Sequence, residues 1–459
     1  MAKLYEMDMD IILKQIEVWF ALGEQDRLRE FAEDAYAQDI AELLIELEDE
    51  KRDAFFGLLM VDKASDVLGE MSAEMFSDLI SSLSETRKVL ILDAMSQDDI
   101  VDLLGDLPEE RQKEIIAYLD IEDARDVAEL LVYDEDTAGG IMTKDFVVLN
   151  KELSIYQAID TLRETAPDAE TIYYVFCVDL KERLVGVISL RELIVSKPNQ
   201  LIKEIMNENV ISVNVHDDQE EVASIVKKYD LLAVPVVDDE ERLLGIITVD
   251  DVLDVIEEEA TEDILKFAGS SELEDIEEER FFRKIYFSVR SRLPWLIITI
   301  FGGLLSSNVV KNFQGVISKD ATLALFMTML AGMGGNVGTQ SSTLTVRSIA
   351  MGYIEGSEVI KTVAQEMLTG LFVGMVCATI SGLAASMIGG TPMVGVIVGL
   401  AMCANMFTAA TIGTIVPITF KKIGVDPAIA SAPFITTIVD ITGLTIYFTL
   451  ATIMTQSML

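Results

Sequence analysis

Histidine is almost missing from this chain: among 459 residues there is one, His216, and only three cysteines. Cys177, Cys377 and Cys403 form an odd, widely scattered set, which excludes a disulfide framework. Zinc, copper and iron sites draw mainly on His and Cys. Any cation handled here should therefore accept oxygen ligands, as magnesium, calcium and manganese do. No Ser/His/Asp set, phosphate-binding loop or zinc motif occurs, so an enzyme is not expected. Basic residues are also scarce: 35 Lys and Arg stand against 78 Asp and Glu, a formal net charge of −43. A surface so acidic repels nucleic acid and attracts cations.

Charge is spread unevenly. From Pro294 onward, six basic residues (Lys311, Lys319, Arg347, Lys361, Lys421, Lys422) balance six acidic ones (Asp320, Glu355, Glu358, Glu366, Asp426, Asp440). The whole excess therefore lies in residues 1–293, which must be solvated and suffice for two or more soluble domains. The neutral half holds five apolar runs, at about 294–313, 321–346, 361–387, 393–418 and 429–454. Each meets or exceeds the roughly 20 residues that cross a bilayer as a helix. Arg283, Lys284, Arg290 and Arg292 precede the first run, Arg347 and Lys361 bracket the second loop, and Lys421 and Lys422 mark the fourth. The third loop, at Gly389-Gly390-Thr391-Pro392, and the C-terminus carry no charge, although the first loop has Lys311 and Lys319. The positive-inside rule thus places the N-terminus in the cytoplasm and the C-terminus outside a plasma (inner) membrane. Met1 to Asp10 has no basic-then-apolar leader, so no cleaved signal peptide is expected.

The last run contains one carboxylate, Asp440, with no charge near it in sequence. Such a group costs about 2.5–3.5 kcal/mol at the centre of a bilayer, and is expected to face a polar cavity, an ion pathway or a partner.

Residues 1–138 read as a helical superhelix. Asp39-Ile-Ala-Glu-Leu-Leu, Asp99-Ile-Val-Asp-Leu-Leu and Asp126-Val-Ala-Glu-Leu-Leu repeat one pattern, with Asp66-Val-Leu a weaker copy. Apolar residues recur at helical spacing while acids fill the other face, so neighbouring turns must bury what one helix leaves open. A longer repeat follows, over 139–200 and 201–256. Met142-Thr-Lys-Asp-Phe-Val-Val-Leu, Tyr174-Val-Phe-Cys-Val-Asp and Leu184-Val-Gly-Val-Ile-Ser come first. They return as Met206-Asn-Glu-Asn-Val-Ile-Ser-Val, Ala233-Val-Pro-Val-Val-Asp and Leu243-Leu-Gly-Ile-Ile-Thr. Short β-branched strands alternating with helical stretches indicate paired α/β units. These copies resemble a tandem CBS domain. Such pairs commonly bind adenine nucleotides, with an acid after a Gly-x-x-Ser/Thr turn on the ribose, and Thr248 followed by Asp251 fits that pattern. The resemblance admits ATP at this pair. Residues 250–292 form an acidic linker, Glu257-Glu-Glu-Ala-Thr-Glu-Asp-Ile-Leu among them, with no proline and only Gly269 to interrupt a helix. The membrane domain is expected over 293–459.

The combination of these parts is similar to the MgtE family of magnesium channels over essentially the full length. It is carried by the junction Tyr133-Asp-Glu-Asp-Thr-Ala-Gly-Gly-Ile-Met-Thr and the Glu-Glu-Ala-Thr-Glu-Asp-Ile linker. The segments Gly334-Gly-Asn-Val-Gly-Thr-Gln-Ser-Ser-Thr-Leu-Thr-Val-Arg, Gly424-Val-Asp-Pro-Ala and Pro433-Phe-Ile-Thr-Thr-Ile-Val-Asp-Ile-Thr-Gly-Leu complete it. The resemblance implies a homodimer whose pore is lined by the second and fifth spans, with the filter acid at Asp440, a backbone carbonyl from Thr436 and a polar wall at Asn336. Mg2+ gives up water reluctantly, and two copies of Asp440 at a dimer axis would match the charge of a hydrated ion. It further implies a cytoplasmic Mg2+ sensor of Asp218, Glu220, Asp230, Asp251, Asp254, Glu259, Glu262 and Asp263, with Asp426 at the membrane face. Asp98 and Asp102 are added from the N-domain on spacing alone. Asp251 thus has two assignments, ribose and Mg2+, between which the sequence does not choose. Two other readings stand beside the channel: an ion-coupled secondary transporter of divalent cations, and a membrane Mg2+ or nucleotide sensor without transport.

Overall fold

The computed structural model describes residues 9–165, 171–270, 281–351, 353–354, 356, 358–389 and 391–456. The stretch 271–280 of the expected linker, Gly390 of the third loop and the first eight residues lie outside them. The chain divides into two compact units, one ending at Glu257 and the other beginning at Glu258.

In the first unit, the described residues from 9 to 130 form ten helices, α1 (Met9–Leu22), α2 (Gln25–Asp34), α3 (Ala37–Glu46), α4 (Asp49–Phe56), α5 (Val61–Gly69), α6 (Ala73–Ser82), α7 (Glu85–Leu92), α8 (Gln97–Gly105), α9 (Glu109–Ile116) and α10 (Ile121–Leu130). The four sequence repeats fall on α3, α5, α8 and α10. Helices this short are marginal alone in water and persist through packing. Ile40, Leu43 and Leu44, then Val67 and Leu68, then Ile100, Leu103 and Leu104, then Val127 and Leu130 are all buried. Full burial of one such side chain contributes about 1.5–3 kcal/mol. The array also reuses a polar device. Lys63 Nζ donates to Ala35 O and Arg87 Nη2 to Leu59 O, each across 28 residues, so a later helix satisfies carbonyls left open where an earlier one ends.

Two matching α/β repeats follow. The first runs β1 (Phe146–Asn150), α11 (Ile155–Thr165), β2 (Thr171–Val178), β3 (Leu184–Ser189) and α12 (Leu190–Val195). The second runs β4 (Val213–Asn214), α13 (Gln219–Tyr229), β5 (Ala233–Val237), β6 (Leu243–Thr248) and α14 (Val249–Ala268). In each, the first strand pairs parallel to the second and the second antiparallel to the third. The copies join tip to tip: Leu184 N donates to Glu241 O and Leu243 N to Glu182 O, with Glu182 and Glu241 both in the left-handed region. The apolar core of the helical array continues into the second copy through Val213, Val222, Val234 and Ile247, whereas the first copy has a separate core around Leu149, Val175 and Ile188.

In the second unit, five helical segments are long and apolar enough to cross a membrane. They comprise α15 (Phe281–Asn312), a 3-10 turn (Ala321–Phe326) running into α17 (Met327–Ala350), α18 (Glu358–Ile388), α19 (Pro392–Lys422) and α20 (Ala432–Gln456), with a short α16 (Gln314–Lys319) after the first. All five expected spans are present, with different ends. The first helix begins well before Pro294, since the charged residues preceding the apolar run favour helix as readily as apolar ones do. Residues 429–431, placed in the last span, instead close a 3-10 turn at Pro427–Ile429 and lead into α20. The two prolines Pro427 and Pro433 fix that break. Helix α19 is the most enclosed and α15 the most exposed, with Ile300, Phe301, Leu304 and Leu305 uncovered. Small residues let α17 and α20 meet: a Cβ on Gly338 would lie 2.9 Å from Ile435 Cγ2 and 3.1 Å from Val439 Cγ2.

Candidate functional site

The membrane residues singled out by sequence lie on α17 and α20. Thr436 and Asp440 are one turn apart on α20 and so share a face. Both are half-buried, and Thr436 Oγ1 donates to Pro433 O at 3.1 Å. Among the described residues no hydrogen bond or ion pair meets the Asp440 carboxylate. Gly335 faces Thr436, with 3.2 Å between a built Cβ and Thr436 Cγ2, whereas the next residue, Asn336, is exposed. The structure thus brings Thr436 and Asp440 together and leaves Asn336 on an uncovered face.

Two polar groups of the spans were not singled out. Asn405 on α19 is fully buried, donating Nδ2 to Leu330 O at 2.7 Å, with its Oδ1 buried and without a partner among the described residues. An asparagine within an apolar run is the signal that would have marked it. Glu366, in the third turn of α18, accepts from Ser341 Oγ at 2.9 Å, so Asp440 is not the only carboxylate within a spanning segment.

A second group collects where α14 ends. Lys266 Nζ donates to Asp426 Oδ2 at 3.0 Å and is also paired with Glu262. Asp426 Oδ1 meanwhile accepts from Ala428 N at 2.7 Å, starting the turn before α20. Burial and then the Asp426 charge push the Asp263 carboxyl above its ordinary range, while its carboxylate neighbours hold the Lys266 ammonium well above its own despite burial. Three expected sensor acids, Glu262, Asp263 and Asp426, are therefore together. What sequence reading omitted is the lysine among them. Gly269 closes α14 with φ +77°, and Ser270 N donates back to Leu265 O at 2.9 Å. A side chain there would strike Pro433 Cγ at 2.8 Å.

The third group lies in the first unit, around the start of α14. Asp98 is 7% exposed and its Oδ1 is buried with no hydrogen-bond partner among the described residues. Burial raises its pKa, and the Asp250 charge adds to this. Asp251 is pushed up to about 7 by burial and then by Asp98 and Asp250, against the opposing hydrogen bonds from Thr248. Burial likewise lifts Asp99 and Asp145 to about 6 each, with Glu70 and Asp66 near the first and Asp98 near the second. Asp254 is also raised by burial and by Asp250. So many carboxyls held toward neutrality share one cause: they are gathered out of water without enough positive charge.

Other expected sensor residues have local structural tasks. Asp218 caps α13, accepting from Glu220 N at 2.9 Å, and Asp230 ends that helix in the left-handed conformation that Asp tolerates. Asp251 Oδ2 accepts from Thr248 Oγ1 at 2.6 Å and from Thr248 N at 3.2 Å, as Glu192 does from Ser189 in the other copy. The acid after the Ser/Thr turn thus secures a helix start in both repeats. Asp102 is exposed one turn beyond Asp98, and Glu259 follows Asp254 on α14.

Matches to known proteins follow this layout. Family models match residues 327–450 (divalent cation transporter), 35–136 (MgtE intracellular N domain), and 138–197 and 202–258 (CBS domain). The magnesium transporter MgtE of Bacillus subtilis is 33% identical over 452 residues, spanning 98% of this chain and 99% of its own. That of Thermus thermophilus is 38% identical over 444 residues, 95% and 96% of the two chains. Among solved structures, the cytosolic domain of the Mg2+ channel MgtE in complex with ATP is 40% identical, with a TM-score of 0.50, covering 53% of this chain and 99% of that one. With a helical array, a CBS pair and five spanning segments in this order, and end-to-end similarity to two magnesium transporters, the chain belongs to the MgtE family of magnesium transporters.

Proposed function

We propose that this multi-pass membrane protein is a Mg2+-selective channel for magnesium uptake, a homodimer in the plasma membrane with its N-terminus cytoplasmic and its C-terminus outside. The observation that carries the reading is Asp440: a carboxylate two turns into a spanning helix, half-buried, and met by no donor among the described residues. A second subunit would place another Asp440 opposite it, with Thr436 carbonyls and the exposed Asn336 completing a polar wall. Such a ring grips a hydrated Mg2+ through charge and outer hydrogen bonds, without the full dehydration that this ion resists.

Cytoplasmic Mg2+ closes the channel in this reading. The closing ions bind among Asp98, Asp102, Asp218, Glu220, Asp230, Asp251, Asp254, Glu259, Glu262, Asp263 and Asp426, and the closed arrangement binds them more tightly than the open one, as any ligand-driven shift requires. The buried Asp98 oxygen, unpartnered among the described residues, and the raised carboxyls around it support this, because a bound cation would supply the charge they lack. ATP binds the CBS pair, with Asp251 serving either nucleotide or Mg2+ once released from Thr248. Similarity to a cytosolic domain described in complex with ATP supports the nucleotide.

The test is Mg2+ flux into proteoliposomes with the Mg2+ bathing the acidic domains varied. Flux should be lost or become unselective in Asp440→Ala, and should fall as that Mg2+ rises. Full flux in Asp440→Ala would refute the pore. Unchanged inhibition in Asp251→Asn/Asp254→Asn/Glu259→Gln would refute the sensor. One observation favours a coupled transporter instead, the Glu366 carboxylate bound by Ser341. Loss of proton-dependent flux in Glu366→Gln would support that reading over the channel.

A further inference from the structure

The fully buried Asn405 stands where three spans meet. From α19 its Nδ2 donates to Leu330 O on α17 at 2.7 Å, across 75 residues of sequence, and its Oδ1 has no hydrogen-bond partner among the described residues. The amide lies between two glycines, one on each neighbouring helix. A Cβ on Gly334 of α17 would lie 2.9 Å from Asn405 Oδ1 and closer still to Nδ2. One on Gly443 of α20 would lie 2.9 Å from Asn405 Cγ and closer still to Oδ1. Side chains do not fit at such distances, so both glycines are what make room for the amide. Asn405 is thus a spacer whose thickness sets how far apart α17 and α20 stand at this level.

That level is close to Asp440. Gly443 lies three residues beyond the carboxylate on α20, about 4.5 Å along the axis. Val439, the residue before Asp440, is fully buried, and a Cβ on Gly334 would lie 2.9 Å from its Cγ1. Other bonds tie α20 and the turn before it to the α17 segment: Ser342 Oγ donates to Ala430 O at 3.1 Å and Tyr447 Oη to Leu323 O at 2.9 Å. These lie ten residues before Asp440 and seven after it. They pin the two ends of the helix, and Asn405 fixes the stretch between them that carries the carboxylate.

We propose that Asn405 is a positioning residue for Asp440, and so for discrimination between Mg2+ and Ca2+. It touches no ion, being wholly buried, and acts by holding α20 at a set distance from α17. Mg2+ keeps its waters in a near-ideal octahedron, whereas Ca2+ takes about six to eight oxygens in looser geometry. A carboxylate held in place fits the first and fails the second, while one free to shift accommodates Ca2+. The inference rests on the reading of Asp440 as the pore acid.

Mg2+ flux and Ca2+ flux into proteoliposomes test it, measured separately on the full chain at low Mg2+ and below the temperature at which any variant aggregates. In Asn405→Ala the Mg2+:Ca2+ flux ratio should fall about tenfold, the low end of what loss of a supporting partner costs a metal site. A residue with only a structural task would lower both fluxes in proportion; an unmoved ratio would overturn the inference. Gly443→Ala, which presses on the same amide from the α20 side, should also lower the ratio, and it decides alone if Asn405→Ala does not fold. Asn405→Ala/Gly443→Ala should be no worse than Asn405→Ala, because the added methyl then has room. Losses that multiply in the double variant would mean two independent effects and overturn the spacer. Asp440→Ala separates the inference from the reading on which it rests. Loss of flux there, with an unchanged ratio in Asn405→Ala, removes only the positioning role, whereas full selective flux in Asp440→Ala removes the pore and the inference together.

Discussion

Proton and Mg2+ should compete for the same carboxylates in the first unit, with a sign that differs from ordinary acid denaturation. Asp251 titrates at about 7 in the fold, and Asp99 and Asp145 at about 6, against an ordinary 3.8. A group that binds its proton more tightly folded than unfolded contributes stability that is complete below its unfolded pKa and is lost as pH rises through the folded value. Between about pH 5.5 and pH 8, Asp251 alone loses roughly 2 kcal/mol, at 1.36 kcal/mol per unit. For a region of this size that lowers the midpoint of thermal unfolding by about 4–8 °C. Asp179, drawn down to about 2 by its hydrogen bond to Arg183, titrates outside this window. The chain has two tryptophans, so Trp295→Phe leaves Trp19, packed on Phe31 at 5.9 Å, to report on the helical array. Without Mg2+ the Trp19 midpoint should fall from pH 5.5 to pH 8, and Asp251→Asn should flatten the slope. Mg2+ at about 100 times its dissociation constant contributes about 2.7 kcal/mol, enough to cancel the fall. It should do little at pH 5.5, where protons already hold the site. A midpoint that rises with pH in Mg2+-free buffer, or a Mg2+ effect equal at both pH values, would refute the reasoning.

Other perturbations have equally definite outcomes. Lys266→Gln removes the ammonium between Glu262 and Asp426; flux at low Mg2+ should rise about fivefold, matching roughly 1 kcal/mol for a partly exposed pair, and inhibition should depend more steeply on Mg2+. An unaltered flux curve would mean that the ion pair has no part in closure. Gly338→Val drives a branched side chain into Ile435 and Val439 and should destabilise the membrane domain by about 1–3 kcal/mol, read as earlier thermal aggregation in detergent. Asn405→Leu gives up the bond to Leu330 O and should cost about 0.6–2 kcal/mol in the same assay, with a midpoint equal to the native chain's counting against it.

Periodicity made much of this architecture legible. The apolar positions of α3, α5, α8 and α10 were readable because one helical pattern recurs, and the α/β pair because the order of strands does. Helix ends were less visible: the charged approach to Pro294 continues α15, and no apolar run marks it. Asp440 and Thr436 stand out as polar residues in an apolar stretch. Asn405 sends the same signal and was overlooked, and Lys266 carries none, since a lysine among acids on a linker looks like any solvated residue. Its partner Asp426 lies 160 residues away.

Gly269 has a mechanical consequence. It turns the chain back where α14 stops and lies too close to Pro433 for any side chain to fit between them. Pro433 stands in the first turn of α20, and Asp440 follows seven residues later, about 10 Å along the axis. Force applied at the foot of α14 therefore reaches the helix bearing that carboxylate through one stiff contact, without first deforming α17, α18 or α19. A push of an ångström there has little slack in which to be lost.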